Sequence, residues 1–388
     1  YGKDDSEFNY SISRYELNKF LIEQAERAGV ELHFGLRLLD LDLSGEHAKL
    51  TFAEEGGGER VVQCAGPLVG ADGGGSGVRY ALKRAGLCSF EESMLEAGYK
   101  EMVFPKAAAE AAGMAKHGLH IWPRGEHMLM GLANLDGSFT GTIYMDNKGG
   151  GESFEALERE GAAAFMQRHY ATACEALGGA EAAGQQLATN HRGILGTVRT
   201  AQWAVGGKVV LLGDASHAIV PFFGQGMNSG FEDTASLMAL LATHAPAGSA
   251  GKDYAAAFAA FEAARKPNAN AIADMALENY VEMRSSTADK NFLLCKAVEN
   301  ALENSELGGR FRSRYSMVCY GGAGNVTYAA AQALGHVQWG IVEELAAKVS
   351  SAERAAAEID LTTAARLLDE RLEPLKAQLK VDLSTVAH

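Results

Sequence analysis

The chain has 388 residues, room for two or three domains rather than one small core. Its net charge of −14 and pI near 5.3 would repel nucleic acid and anionic membrane surfaces, so neither is expected as a partner. The five cysteines are scattered, odd in number and never paired as C-x-x-C, which points to reduced thiols in a cytosol-facing protein and against a disulfide framework or structural zinc.

Ser13 and Glu16 form an S-x-x-E capping box; Leu17, Phe20, Leu21, Ala25 and Ala28 follow at helical spacing, and Gly29 closes the helix. A strand is expected over 30–34. Leu39, Leu41 and Leu43 alternate with Asp40 and Asp42, and a Ser44-Gly45 turn leads back through 48–53 as a hairpin. The apolar run 67–71 ends in Asp72-Gly73-Gly74-Gly75, and a helix carrying Val78, Arg79 and Leu82 starts near Ser76. These pieces suit a mostly parallel α/β sheet.

Over 97–146 the pattern changes to strands at 99–104, 119–122, 128–133 and 141–145, with turns between them, which suits an antiparallel sheet. An alanine-rich helix is expected over 154–177. The strand over 209–212 returns the chain to the first sheet, and the helix after Asn228 should turn Phe231, Ala235, Leu237, Met238 and Leu241 inward. From Tyr254 onward the pattern is helical. The segment 350–388 reads as polar amphipathic helix, with Leu361, Leu367, Leu368 and Leu372 on its apolar side and no span of about 18 apolar residues.

Residues 211–230, LLGDASHAIVPFFGQGMNSG, concentrate the chemistry. A buried strand ends at Gly213 with Asp214 at its carboxyl end, where open α/β sheets take ligands. Asp214 can accept hydrogen bonds from polyol hydroxyls, while Gly224 and Gly226 let backbone approach a flat ligand. Asn228 can cap the following helix with or without a ligand. The competing reading of the glycines alone is a tightly packed strand–loop–helix turn.

The ordered string G-D-x-x-H-x-x-x-P-x-x-G-Q-G-x-N (213–228) resembles the flavin-binding segment of the FAD-dependent aromatic hydroxylases, which share the p-hydroxybenzoate hydroxylase fold. Ala71-Asp72-Gly73, with Ser76 and Arg79, resembles their second motif. The segments IVPFFGQGMNSGFED (219–233), HIWPR (120–124), NYVEMR (279–284) and YSMV (315–318) are similar to the members that hydroxylate kynurenine, as is SISR (11–14) with Leu17-Asn18-Lys19. The likeness runs in order from Tyr1 to about Trp339.

The resemblance implies an FAD/NAD(P)-binding Rossmann-like domain, an inserted antiparallel substrate domain and a C-terminal helical region. The expected division is 1–90 and 201–250 for the FAD-binding parts, 91–200 for the substrate sheet and 251–388 for the helices. It implies FAD as cofactor, and NADPH, O2 and L-kynurenine as co-substrates and substrate, in tryptophan catabolism toward NAD. By position, Arg14, Leu38, Asp72, Asp214, Gly224, Gln225, Gly226, Met227 and Asn228 would contact FAD. Tyr1, Asn279 and Tyr315 would hold the amino-acid end of kynurenine, and Pro221, Phe222 and Phe223 would border its ring. His217 is read as structural, because the hydroxylation does not call for it; no metal ligand or catalytic carboxylate pair is expected.

Two departures stand out. Gly77 replaces a threonine that contacts FAD in the family, and the G-x-G-x-x-G fingerprint for the ADP half is missing. The expectation is therefore an incomplete chain that holds FAD poorly and exposes a sheet edge. Alternatives are a flavin hydroxylase for another aromatic acid and a truncated, non-catalytic paralogue. Animal members sit on the mitochondrial outer membrane through apolar C-terminal segments; the charged 350–388 does not supply such an anchor.

Overall fold

The protein is described from a computed structural model covering residues 10–150, 152–159, 161–249, 251–284, 289–321 and 326–386. In chain order it forms α1 (Arg14–Arg27), the strands β1 (Leu36–Asp42), β2 (Ala48–Glu54), β3 (Glu59–Cys64) and β4 (Leu68–Gly70), then α2 (Gly77–Arg84). There follow β5 (Phe90–Phe104), α3 (Lys106–Ala111), β6 (His120–Pro123), β7 (Met128–Ala133), β8 (Phe139–Asp146), α4 (Phe154–Leu157), α5 (Ala162–Ala176), α6 (Ala180–Thr189) and β9 (Arg192–Thr200). The last part holds β10 (Ala204–Val205), β11 (Val209–Leu211), α7 (Asp214–His217), α8 (Gly226–His244), α9 (Tyr254–Arg284), α10 (Lys290–Glu303), α11 (Arg314–Tyr320) and α12 (Tyr328–Ala346), with short helices beyond.

The chain divides into two compact units. One unit comprises 20–93 and 196–279. In it β11 runs parallel to β4, pairing Val209 with Leu68 and Leu211 with Gly70. All three β11 residues are fully buried, as a strand covered on both faces requires. Gly70 makes this closeness feasible: a Cβ there would stand 2.9 Å from Leu211 Cδ2 and 3.0 Å from Val78 Cγ1. Ser76 caps α2 by accepting the Arg79 amide, and Val78, Ala81 and Leu82 turn inward onto Leu211 and Ala215. β4 is the outer strand of its sheet, in the order β10-β11-β4, and Val69 on it is 42% exposed. β1, β2 and β3 form a separate antiparallel meander.

The other unit comprises 1–19, 94–195 and 280–388. Its sheet has the order β6-β7-β8-β5-β9, and β7 pairs antiparallel with β8, Leu129 opposite Ile143. α4, α5 and α6 pack Phe154, Phe165, Met166, Tyr170 and Leu187 against Met102, Phe104, Leu129 and Ile143 of that sheet. A fully buried Leu or Phe of this kind contributes about 1.5–3 kcal/mol. Leu367, Leu368 and Leu372 are fully buried, so the C-terminal segment packs inward as short helices rather than one amphipathic surface helix. No helix among the described residues is long and apolar enough to cross a membrane.

Three local expectations need correcting. Residues 30–34 form no strand: among the described residues no neighbour gives them a ladder, and Phe34 is 71% exposed. α1 forms as expected with Ser13 at its start, and none of its residues is buried. The helix over 154–177 is broken between α4 and α5, where Gly161 adopts a left-handed conformation, and α5 itself kinks at Tyr170. α8 begins at Gly226, with Asn228 inside its first turn rather than capping it. That helix buries Ser229, Asp233 and Leu237, leaving Phe231 and Met238 46% and 60% exposed.

Candidate flavin site

The parallel pair β4–β11 delivers two turns to the same sheet end. After Leu211, the Leu212 amide donates to the Gly70 carbonyl at 2.9 Å, and the chain then turns at Gly213, whose φ of 58° and ψ of −140° suit only glycine. α7 is a single turn beginning at Asp214, with the Ser216 and His217 amides donating back to the Gly213 carbonyl. Asp214 is exposed while Ala215, Ser216 and His217 are buried.

The turn is fixed from below by a carboxylate that the sequence reading overlooked. Asp233, fully buried on α8, accepts the Gly213 amide at 3.2 Å and His217 Nε2 at 2.5 Å, while Arg265 Nε on α9 donates to its other oxygen at 2.7 Å. Burial alone would raise the Asp233 pKa; the His217 hydrogen bond and charge, together with Arg265, outweigh it and hold the carboxyl below its ordinary value. Trp203 stacks on His217 at 5.0 Å. His217 is thus a structural group. The signal for Asp233 was present in FED (231–233): Ser229, Asp233 and Leu237 recur every fourth residue, the spacing of one helix face.

Beyond Val220, Pro221–Phe223 make one 3-10 turn with Phe222 and Phe223 buried, closed by Gly224 in the left-handed region. Asn279 Nδ2, on α9, donates to the Phe222 carbonyl at 2.7 Å. Asn228 Nδ2 donates to Gln225 Oε1 at 3.0 Å, while Met227 and Asn228 stay exposed. The amides of Gly226, Met227 and Asn228 open α8 and have no acceptor within that helix.

On the other turn, Asp72 accepts Ser76 Oγ at 2.5 Å and the Val78 amide at 3.0 Å, so its carboxylate braces the start of α2. A Cβ on Gly77 would lie 3.5 Å from Leu38 Cβ and 3.6 Å from Asp72 Oδ2, so Leu38, Asp72 and Gly77 are neighbours. Arg79 joins the two turns. Fully buried, it donates from Nη1 to the Ala215 carbonyl at 2.8 Å and from Nη2 to the Gly74 carbonyl, while pairing with Glu92 at 3.0 Å and lying over the Phe90 ring.

Within this unit the structure groups Leu38 with Asp72, and Asn279 with Pro221–Phe223. Arg14, exposed at the start of α1, and Tyr315, half-buried in α11, belong to the other unit, and Tyr1 lies outside the described residues. The donor set fits a flavin. An exposed carboxylate at a strand end suits ribityl hydroxyls, and the amides of a helix start suit the carbonyl side of the ring. Added Cβ atoms at Gly73, Gly75 and Gly224 would meet nothing within 4 Å, which leaves backbone accessible at both turns.

The FAD binding domain family matches residues 5–276. Among solved structures, 2-methyl-3-hydroxypyridine-5-carboxylic acid oxygenase aligns with a TM-score of 0.53 at 20% identity, covering 69% of this chain and 66% of that one. HpxO of Klebsiella pneumoniae, complexed with FAD and uric acid, aligns with a TM-score of 0.51, also at 20% identity, over 70% and 64%. The family match and the curated relatives define an FAD-dependent aromatic monooxygenase, an oxidoreductase of mixed α/β build with an antiparallel sheet and C-terminal helices. Kynurenine 3-monooxygenase of Myxococcus xanthus is 41% identical over 376 residues, covering 96% of this chain and 76% of that protein, and the Flavobacterium johnsoniae enzyme is 37% identical over 89% and 74%. The chain belongs to the kynurenine 3-monooxygenase family and spans about three quarters of the length of these relatives.

Proposed function

We propose that the chain hydroxylates L-kynurenine to 3-hydroxykynurenine, consuming NADPH, a proton and O2 and releasing NADP+ and water. The observation that carries this reading is the 41% identity to a kynurenine 3-monooxygenase over 96% of the chain. FAD, when bound, supplies the redox chemistry, taking hydride from NADPH and passing oxygen to the aromatic ring.

The chain's own residues bind, orient and exclude water. Asp214 accepts from ribityl hydroxyls, and the Gly226, Met227 and Asn228 amides face the flavin ring, with Gly224 and Gln225 shaping their approach. Leu38 and Asp72 complete the cofactor contacts of this unit. Phe222 and Phe223 give the kynurenine ring an apolar, water-poor boundary beside Pro221, in which the reacting carbon is shielded. Asn279 holds that boundary through the Phe222 carbonyl, beside the amino-acid end of the substrate. In this reading 91–200 is the substrate sheet, 1–90 and 201–250 the cofactor side, and 251–388 the helical region.

The test is kynurenine-stimulated NADPH oxidation by the purified chain supplied with FAD, with 3-hydroxykynurenine identified as product. Stimulation by other aromatic acids but not by kynurenine would overturn the substrate, and absence of flavin binding would overturn the activity of this chain.

A further inference from the structure

Away from the flavin turns, the sheet unit gathers three side chains from separate segments: His127 in the turn before β7, Glu152 just ahead of α4, and His169 on α5. Glu152 Oε1 lies 3.0 Å from His169 Nε2, and Glu152 Oε2 lies 3.8 Å from His127 Nε2. One ligand atom from each residue falls within 4.8 Å of the others, and among the described residues they form the one such group of three. Two ligands on a tetrahedral zinc, each at about 2.1 Å, sit about 3.4 Å apart, which falls inside the 4.8 Å envelope of these atoms. We propose that His127, Glu152 and His169 form a binding site for a zinc-class divalent transition metal, with an open fourth position.

Two further observations support it. His127 is 4% exposed, and its Nδ1 is hydrogen-bonded to the Tyr170 hydroxyl at 2.6 Å, which fixes the ring and turns Nε2 toward Glu152. Such a bond on the far nitrogen is the usual support of a metal-binding imidazole. Finally, a cation already sits on the same atoms: the Arg168 guanidinium contacts Glu152 Oε1 and donates from Nε to His169 Nε2 at 2.9 Å. Arg168 is 64% exposed on a flexible stem, so it can swing into solvent when a metal takes its place. Arg124 does not compete for these atoms, since it is spent on the Pro123 and His169 carbonyls and lies over the Tyr170 ring. Sequence spacing hides the site because its ligands come from three segments.

The site does not depend on the hydroxylase reading, and its test reads metal binding alone. Zinc chloride is titrated calorimetrically into the metal-free full chain, and thermal unfolding is followed with zinc or magnesium. One zinc per chain should bind at this site and raise the unfolding temperature, whereas magnesium should not, because two of the three ligands are nitrogen. His169→Ala should remove that binding event, and Arg168→Ala should tighten it at least several-fold by deleting the resident cation. The gain in Arg168→Ala cannot be mistaken for misfolding. Zinc binding undiminished in His169→Ala, an equal response to magnesium, or no binding by either the native chain or Arg168→Ala would overturn the proposal.

Discussion

Arg265 and Asn279 stand about four turns apart on α9, roughly 21 Å along its axis, and hold opposite ends of one loop. Arg265 reaches the Gly213 turn through Asp233, and Asn279 holds the Phe222 carbonyl directly. A whole number of turns puts both side chains on the same face of the helix. The segment from strand end to aromatic turn is therefore mounted on α9 at both ends, and the Asp214 carboxylate and the α8 amides keep their spacing with or without a ligand.

The Asp233 carboxylate should dominate the stability of this mounting. Asp233→Asn removes the buried partner of Arg265, which keeps only the more exposed Glu232 at 2.7 Å, and should cost about 2 kcal/mol, measured by chemical denaturation. The pH dependence has a defined sign. Because the folded carboxyl titrates below its ordinary value of 3.8, the unfolded state binds more protons between the two values. The Asp233 contribution is then complete above about pH 5 and disappears as pH falls through 3.8 and below. The asparagine variant should lack that acid slope; identical slopes from pH 3 to 6 would refute the assignment.

Asn279→Ala removes one hydrogen bond from the Phe222 carbonyl, a loss of about 1 kcal/mol. Its effect should fall on substrate handling more than on the cofactor. Retained flavin with a KM for kynurenine raised at least several-fold is expected in steady-state assays. Loss of flavin with unchanged KM would assign Asn279 to the cofactor side instead.

Gly77 offers a gain-of-function test. A Cβ there meets only ordinary contacts at 3.5–3.6 Å, and the residue opens α2 without a left-handed φ. Gly77→Thr should therefore fold with stability changed by less than about 0.5 kcal/mol. A new hydroxyl hydrogen bond to FAD, worth about 1 kcal/mol, should tighten cofactor affinity roughly fivefold in a fluorescence titration. Unchanged affinity would mean that the hydroxyl does not reach the cofactor.

In the sheet unit, Gly184 on α6 meets the backbone of α5: an added Cβ would stand 2.5 Å from the Ala163 amide nitrogen. Alanine ordinarily favours a helix over glycine by about 0.5–1 kcal/mol. Here the overlap is with backbone, which cannot rotate aside, so the steric term of about 1–3 kcal/mol wins. Gly184→Ala should lower the midpoint of denaturation, whereas the same change at half-buried Gly340 on α12, where a Cβ meets nothing, should not.

What could be read from the sequence followed how local its cause was. Ser76 capping α2, the paired runs at 68–70 and 209–211 and the turns between β5 and β8 announce themselves through short-range rules. The 30–34 segment looked like a strand because apolar residues alternate there, but a strand also needs a neighbour. The inward face of α8 was misjudged for a related reason. Hydrophobicity ranks Phe231 and Met238 above Ser229 and Asp233, yet Arg265, 32 residues away from Asp233 in sequence, reverses that order. The flavin-type turns were legible as a motif; the buried ionic support beneath them was not, since a lone helical aspartate normally reads as a solvated charge.

Arg79 also bears on timing. One guanidinium bonds to the Gly74 and Ala215 carbonyls, on turns separated by well over a hundred residues, and it has no route to water. Neither turn can loosen without breaking bonds that also hold the other, so both should open in a single cooperative event. Amide hydrogens on the two turns should then exchange with matching protection, and a lysine at 79, which lacks the planar fork, should let each turn breathe on its own clock.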